Sequence, residues 1–152
     1  MSRRFAYGQA GNEGVAALAK LEAYVRQSGL EHSLLELVKM RASQINGCGY
    51  CLDMHSKDAR VAGETEQRLY VLPAWREASF YTARERAALE WTEAVTLISQ
   101  NEIPDSLYQR MREHFDEKHL LDLTLAIATI NTWNRLAISF RSEVGSYQPK
   151  PR

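Results

Sequence analysis

The chain has 152 residues, 45% hydrophobic and 25% charged, which is one domain's worth of sequence and enough to bury a proper core. Its 19 Lys and Arg balance 19 Asp and Glu, so it lacks the basic footprint with which nucleic-acid binders displace counterions. Arg3 and Arg4 are followed by no apolar signal segment, and the most hydrophobic stretch, 120–130, is interrupted by Asp122, well short of the roughly 20 apolar residues of a membrane span.

The expectation is therefore a soluble, cytoplasmic protein with no nucleic-acid or membrane partner. Near-zero net charge is compatible with self-association. Helical periodicity runs almost end to end, and no segment alternates cleanly as a strand. A first helix fits 12–28, with Val15, Leu18, Leu21 and Val25 on one face and Gly29 as its stop. A second starts at Ser33, where Ser33-Leu34-Leu35-Glu36 has the form of a capping box, and presents Leu34, Leu37, Val38 and Ile45 before ending at Gly47.

A third helix runs from Cys48–Cys51 to Gly63, and a shorter one over 66–72 is closed by Pro73. The next long helix opens on a second capping box, Thr82-Ala83-Arg84-Glu85, and carries Ala87, Trp91, Ala94, Val95 and Ile98 inward. Within its start, Arg84-Glu85-Arg86 reads as a solvated face. Pro104 suits the first turn of a sixth helix with the stripe Leu107, Met111 and Phe115. The last helix, 119–141, is apolar on several faces, as expected of a helix buried in the bundle or against another subunit.

Asn131, Asn134 and Arg135 interrupt that last helix and read as interhelix or intersubunit hydrogen-bonding groups. A tail over about 146–152 has no partner pattern and is expected to fray. With no internal repeat or linker, the prediction is a single all-α domain over 1–152, a bundle of six to seven helices.

The chemistry concentrates on the only two cysteines, Cys48 and Cys51, with His55 one helical turn further on. In a reducing compartment a CxxC reads as catalytic or metal-binding sooner than as a structural staple. Residues three apart on a helix are neighbours, and Gly47 and Gly49 give the backbone freedom to close a disulfide there. A helix N-terminus favours thiolate over thiol. His55, at i+4 from Cys51, is placed to take its proton, and Cys48 at the helix start is the more exposed partner.

The plainer alternative is a pair of small buried hydrophobes beside a core histidine. Zinc is the other alternative, but a structural site needs a fourth ligand. No second CxxC supplies one, and His32, His114 and His119 are remote in sequence. Glu36 is accounted for by the Ser33 capping box alone.

Glu36, then Cys48-Gly49-Tyr50-Cys51, then His55 together resemble the core of the AhpD-like alkylhydroperoxidases of the carboxymuconolactone decarboxylase superfamily, over about 31–63. The resemblance implies an all-α, homo-oligomeric (trimeric or hexameric) peroxidase that reduces organic or hydrogen peroxides. It also implies an external dithiol such as dihydrolipoamide, or a lipoyl-protein, as reductant, with no bound metal or cofactor. By position it makes Cys51 the attacking thiolate, Cys48 its resolving partner, and Glu36 with His55 a proton relay. That role is closed to a Glu36 side chain folded back on Ser33.

The chain departs from the family pattern at Tyr50, where a second histidine stands. A phenol titrating near 10 shuttles protons less readily, so Tyr50 is a pocket residue in this reading. A non-redox decarboxylase or isomerase-like relative and a redox-sensing binding protein remain the alternatives.

Overall fold

The computed structural model describes residues 2–149. Seven α-helices and two short 3₁₀ turns make up the regular structure, with no strand among the described residues. The Asn12 side chain accepts the Val15 N–H and opens α1, Glu13–Arg26. Gly29, at φ 100°, turns the chain into α2, His32–Asn46. Gly47 at φ 69° ends α2 in the left-handed conformation and delivers Cys48 directly to the start of α3, Gly49–Val61.

The short α4, Glu66–Val71, runs into a 3₁₀ turn over Leu72–Ala74 that takes in Pro73. The Thr82–Glu85 capping box forms with both of its hydrogen bonds and starts α5, Ala83–Thr96. Pro104 sits at the N-cap of α6, Asp105–His114, and Asp116 caps α7, Glu117–Phe140.

The apolar stripes explain the packing. α2 lies at the centre, against α3, α5 and α7. Its Leu34 and Val38 join Val25, Trp91, Met111, Leu123 and Ile127 in the main core. Leu37 faces a second cluster with Leu72, Trp75 and Leu89. Ala42 belongs to a third, small cluster that encloses the two cysteines with Ile130 and Ala137.

Several details differ from the sequence-based expectations. α2 starts one residue before Ser33, with Glu31 as its N-cap, so Ser33 forms no capping box and leaves Glu36 free. Ile98 lies beyond the end of α5 and is exposed. α7 buries Leu123, Ile127 and Ile130 but leaves Leu121 and Ile138 at the surface. Arg84, Glu85 and Arg86 are half-buried clamps instead of a solvated face. The Arg84 guanidinium lies over the Phe115 ring and bonds the His114 carbonyl, and Glu85 receives Arg68. Arg86 donates to the Trp75, Ala78 and Arg76 carbonyls. Long arginine stems cover apolar surface while their forks satisfy loop carbonyls.

The tail is held where fraying was expected. Tyr147 is half-buried on α3, donating its hydroxyl to Asp58 (2.8 Å) and accepting Lys57 at its carbonyl (2.9 Å). The remainder of that expectation, residues 150–152, lies outside the described residues.

The amides of α7 tie the bundle together just below the cysteines, as their polarity in an apolar helix predicts. Asn46 Nδ2 donates to Asn131 Oδ1 (3.0 Å) and Asn134 Oδ1 (2.9 Å). The fully buried Asn134 donates in turn to Ser43 Oγ (3.0 Å), and Arg135 donates back to Asn131. Asn134→Leu strands the Asn46 and Ser43 partners in the interior and is expected to cost about 1–3 kcal/mol. Urea denaturation checks this, and an unchanged midpoint would reduce the amide cluster to ornament.

Candidate active site

The site is built where the end of α2 meets the start of α3. Cys48 is the N-cap of α3, and its Sγ accepts the Cys51 N–H at 3.3 Å. A disulfide joins the two cysteines across a Cα separation of 5.4 Å. The pairing that the CxxC spacing allows is thus formed. The expected difference in exposure is absent, since Cys48 is 1% and Cys51 2% exposed. The reason is packing: the α3 N-terminus is pressed against Ile130 and Ala137 of α7, and Val144 closes over Gly49.

His55 stands one turn below Cys51 and is buried. Its Nδ1 lies 2.7 Å from Glu36 Oε2, so the side chain that was a candidate helix cap is instead the partner of the histidine. An ionised carboxylate only accepts, so this contact places the proton on Nδ1 and leaves Nε2 of the neutral ring with its lone pair free. Burial pushes the Glu36 carboxyl up. The His55 hydrogen bond and charge, with Lys39 and Arg26 behind them, outweigh this and hold it below its ordinary 4.5.

A cavity of about 340 Å³ opens onto Cys51 and His55. Its walls are Tyr7, Tyr50, Met54 and Trp133, with Glu22 and Arg26 as its charged members. Tyr50 therefore does line the pocket, and burial followed by the neighbouring Tyr7 pushes its phenol up, further from a role as proton shuttle.

Sequence reasoning missed a second tier of charged groups. Lys39 is 1% exposed and ion-paired with Glu22, which also receives Arg26 at 3.3 Å. Burial pushes Glu22 up, but Lys39 and then Arg26 hold it below its ordinary value. The available signal was Glu36 and Lys39, two charges three apart in an otherwise apolar run from Leu34 to Met40. Asp58, three residues beyond His55, was missed with Tyr147, whose hydroxyl burial and the Asp58 bond push up to about 12.

Glu36, His55 and Asp58 each bring one ligand atom within 4.8 Å of the others, a donor set that could hold a divalent cation. Each already has a protein partner, Glu36 and His55 in one another and Asp58 in Tyr147. Chemically, the arrangement sets a CxxC disulfide beside a buried carboxylate-imidazole pair, with Cys51 and His55 facing a pocket that Tyr7, Tyr50 and Trp133 help to wall.

The sequence itself matches known proteins. Residues 12–94 match the model of the carboxymuconolactone decarboxylase family. The uncharacterized protein YdfG of Bacillus subtilis (strain 168) is 47% identical over 146 residues, 96% of this chain and 99% of that protein. A crystal structure from Agrobacterium tumefaciens, of a protein of unknown function linked by its description to antioxidant defence as AhpD, aligns with a TM-score of 0.91 at 44% identity. It covers 96% of this chain and 100% of that one. The debrominase Bmp8, with a TM-score of 0.76 at 19% identity over 86% of this chain and 70% of that one, shares the fold alone.

Proposed function

The chain belongs to the carboxymuconolactone decarboxylase family, in its AhpD-like branch, and from that premise we propose that it is a thiol-dependent peroxidase acting on organic or hydrogen peroxides. The observation that carries this reading is the buried Glu36–His55 pair one helical turn from the Cys48–Cys51 disulfide, with His55 and Cys51 lining one cavity. A structural disulfide has no need of a carboxylate-oriented base within one helical turn.

In the proposed cycle His55 Nε2 takes the Cys51 proton, and the resulting thiolate attacks one peroxide oxygen. The S–O bond forms as the O–O bond breaks, and the leaving alkoxide takes the proton from His55 as an alcohol. Cys51 is now a sulfenic acid. Cys48 condenses with it, forming the disulfide and releasing water. A dithiol such as dihydrolipoamide, or a lipoyl-protein, then returns two electrons and two protons, so the chain itself needs no metal or organic cofactor.

Glu36 orients His55 and balances its charge when it is protonated. The apolar side chains Val15, Leu18, Leu21 and Leu136, which line a groove between α1 and α7, support self-association, and the AhpD-like resemblance is the ground for proposing a trimer or hexamer. No helix among the described residues is long and apolar enough to cross a membrane.

The test is steady-state consumption of an organic hydroperoxide with dihydrolipoamide. Wild type is expected to turn over, and Cys51→Ser is expected to show none. No consumption by wild type whose thiols are verified as reduced would overturn the peroxidase reading.

A further inference from the structure

We infer that the two cysteines are served from two separate cavities, and that the reductant enters by the one that opens onto Cys48. The inference rests on the dithiol reading above. The cavity lined by His55 reaches Cys51 but is not lined by Cys48. A second cavity, of about 470 Å³, reaches Cys48 but not Cys51, and neither Glu36 nor His55 lines it. Its wall is Gly47, Gly49 and the end of α7 with the segment that follows, Ile138, Arg141 and Val144. Tyr50 lines both spaces and stands as a common wall. A peroxide needs the proton-handling imidazole of His55, which lines only the first cavity. A thiol attacking a disulfide needs a sulfur it can reach, and the second cavity offers Cys48.

The walls also select the reductant. With Cys48 only 1% exposed, the flat surface of a folded thiol protein cannot touch it, whereas a slender chain can. Ile138 and Val144 are apolar and open to solvent at 46% and 61%, so the entrance suits hydrocarbon. A Cβ built on Gly47 meets nothing within 4 Å, which leaves the approach beside Cys48 clear. A Cβ on Gly49 would lie 3.2 Å from Val144 Cγ2, so the side chain at 144 sets the width of the passage.

Arg141 and Glu143 line the same wall, so a guanidinium donor and a carboxylate acceptor are both at hand for an amide along the chain. The dihydrolipoyl reductant of the reading above, a dithiol at the end of a narrow arm, is of a shape that can enter here. Its first thiolate attacks Cys48 Sγ. The Cys48–Cys51 bond breaks, and the electron pair goes to Cys51, a thiolate beside His55. Its second thiol then attacks the mixed disulfide, releasing Cys48 and leaving the reductant as a closed disulfide, two electrons poorer.

The test follows each half-reaction alone. Val144→Trp narrows the second passage from an exposed position. It is expected to slow reduction of the protein disulfide by dihydrolipoamide about tenfold or more, since exchange depends on access to the attacked sulfur. Oxidation of the pre-reduced variant by a hydroperoxide should stay within about twofold of wild type, because the first cavity is untouched. Independently of any substitution, wild-type disulfide treated with a small monothiol and quenched in acid should carry the adduct on Cys48 when mapped by fragmentation mass spectrometry.

An adduct on Cys51, or a Val144→Trp variant reduced at the wild-type rate, would overturn the inference. Reduction is measured with no peroxide present, so a chain without peroxidase activity still answers the question.

Discussion

Glu36→Gln is expected to slow oxidation of Cys51 by a hydroperoxide about 100- to 1,000-fold while leaving the protein folded, a loss within the range that general acid–base groups contribute. The glutamine carbonyl can still accept from His55 Nδ1, so the ring keeps its place. What disappears is the negative charge 2.7 Å from the imidazole, which favours the protonated ring formed when His55 takes the thiol proton. The defect should therefore fall on the oxidation rate constant at saturating peroxide more than on peroxide affinity.

A pH titration of stability gives a second readout. Glu36 is held below its ordinary 4.5, so it contributes stability that is fully present above that value and is lost as pH falls through its lowered one. Wild type should weaken more steeply than Glu36→Gln on the acid side of 4.5, and the two curves should run parallel above it. An oxidation rate within about threefold of wild type would remove Glu36 from the relay, because loss of a working relay member lies far outside that margin.

Much of this site is legible in the sequence because its chemistry is local. Cys48, Cys51 and His55 lie within two turns of one helix, and spacing alone sets their neighbourhood. The Gly47 stop and the Thr82–Glu85 capping box are local in the same sense, and both form. Ser33-Leu34-Leu35-Glu36 has the same local pattern yet forms no cap, because the buried His55 gives the carboxylate a better partner than an N–H at the surface. That competition is settled across a gap of 19 residues and leaves no mark in the pattern.

The same holds for Arg84 and Arg86, whose targets are the Phe115 ring and the Trp75 loop, and for Tyr147, which finds Asp58 far back along the chain. Periodicity finds helices and their apolar faces, but it does not show which polar group meets which. The near-equal burial of Cys48 and Cys51 is a packing result of the same kind, imposed by α7 and by the segment that follows it.

Lys39→Ala is expected to destabilise the fold by about 3–5 kcal/mol, the cost of removing one partner from a buried ion pair. At about 2–4 °C per kcal/mol for a domain of this size, the melting temperature should drop by roughly 6–20 °C. The lysine is 1% exposed and its ammonium is neutralised by Glu22; without it, Glu22 keeps only the more exposed Arg26. Replacing both partners, Lys39→Met with Glu22→Leu, should recover most of the loss, since burying a matched ion pair brings little net stability over apolar packing.

The double variant then isolates what the pair does for the site. Lys39 is one of the charges that lower Glu36, so a refolded but uncharged second tier lets the Glu36 carboxyl rise towards its ordinary value. The acid limb of the oxidation rate should move to higher pH in the double variant, at near wild-type stability. If stability returns and the pH profile stays where it was, the pair is a packing feature of α1 and α2. If the profile moves, the buried lysine tunes the relay from behind, which accounts for a charge in a helix face that apolar residues would otherwise fill.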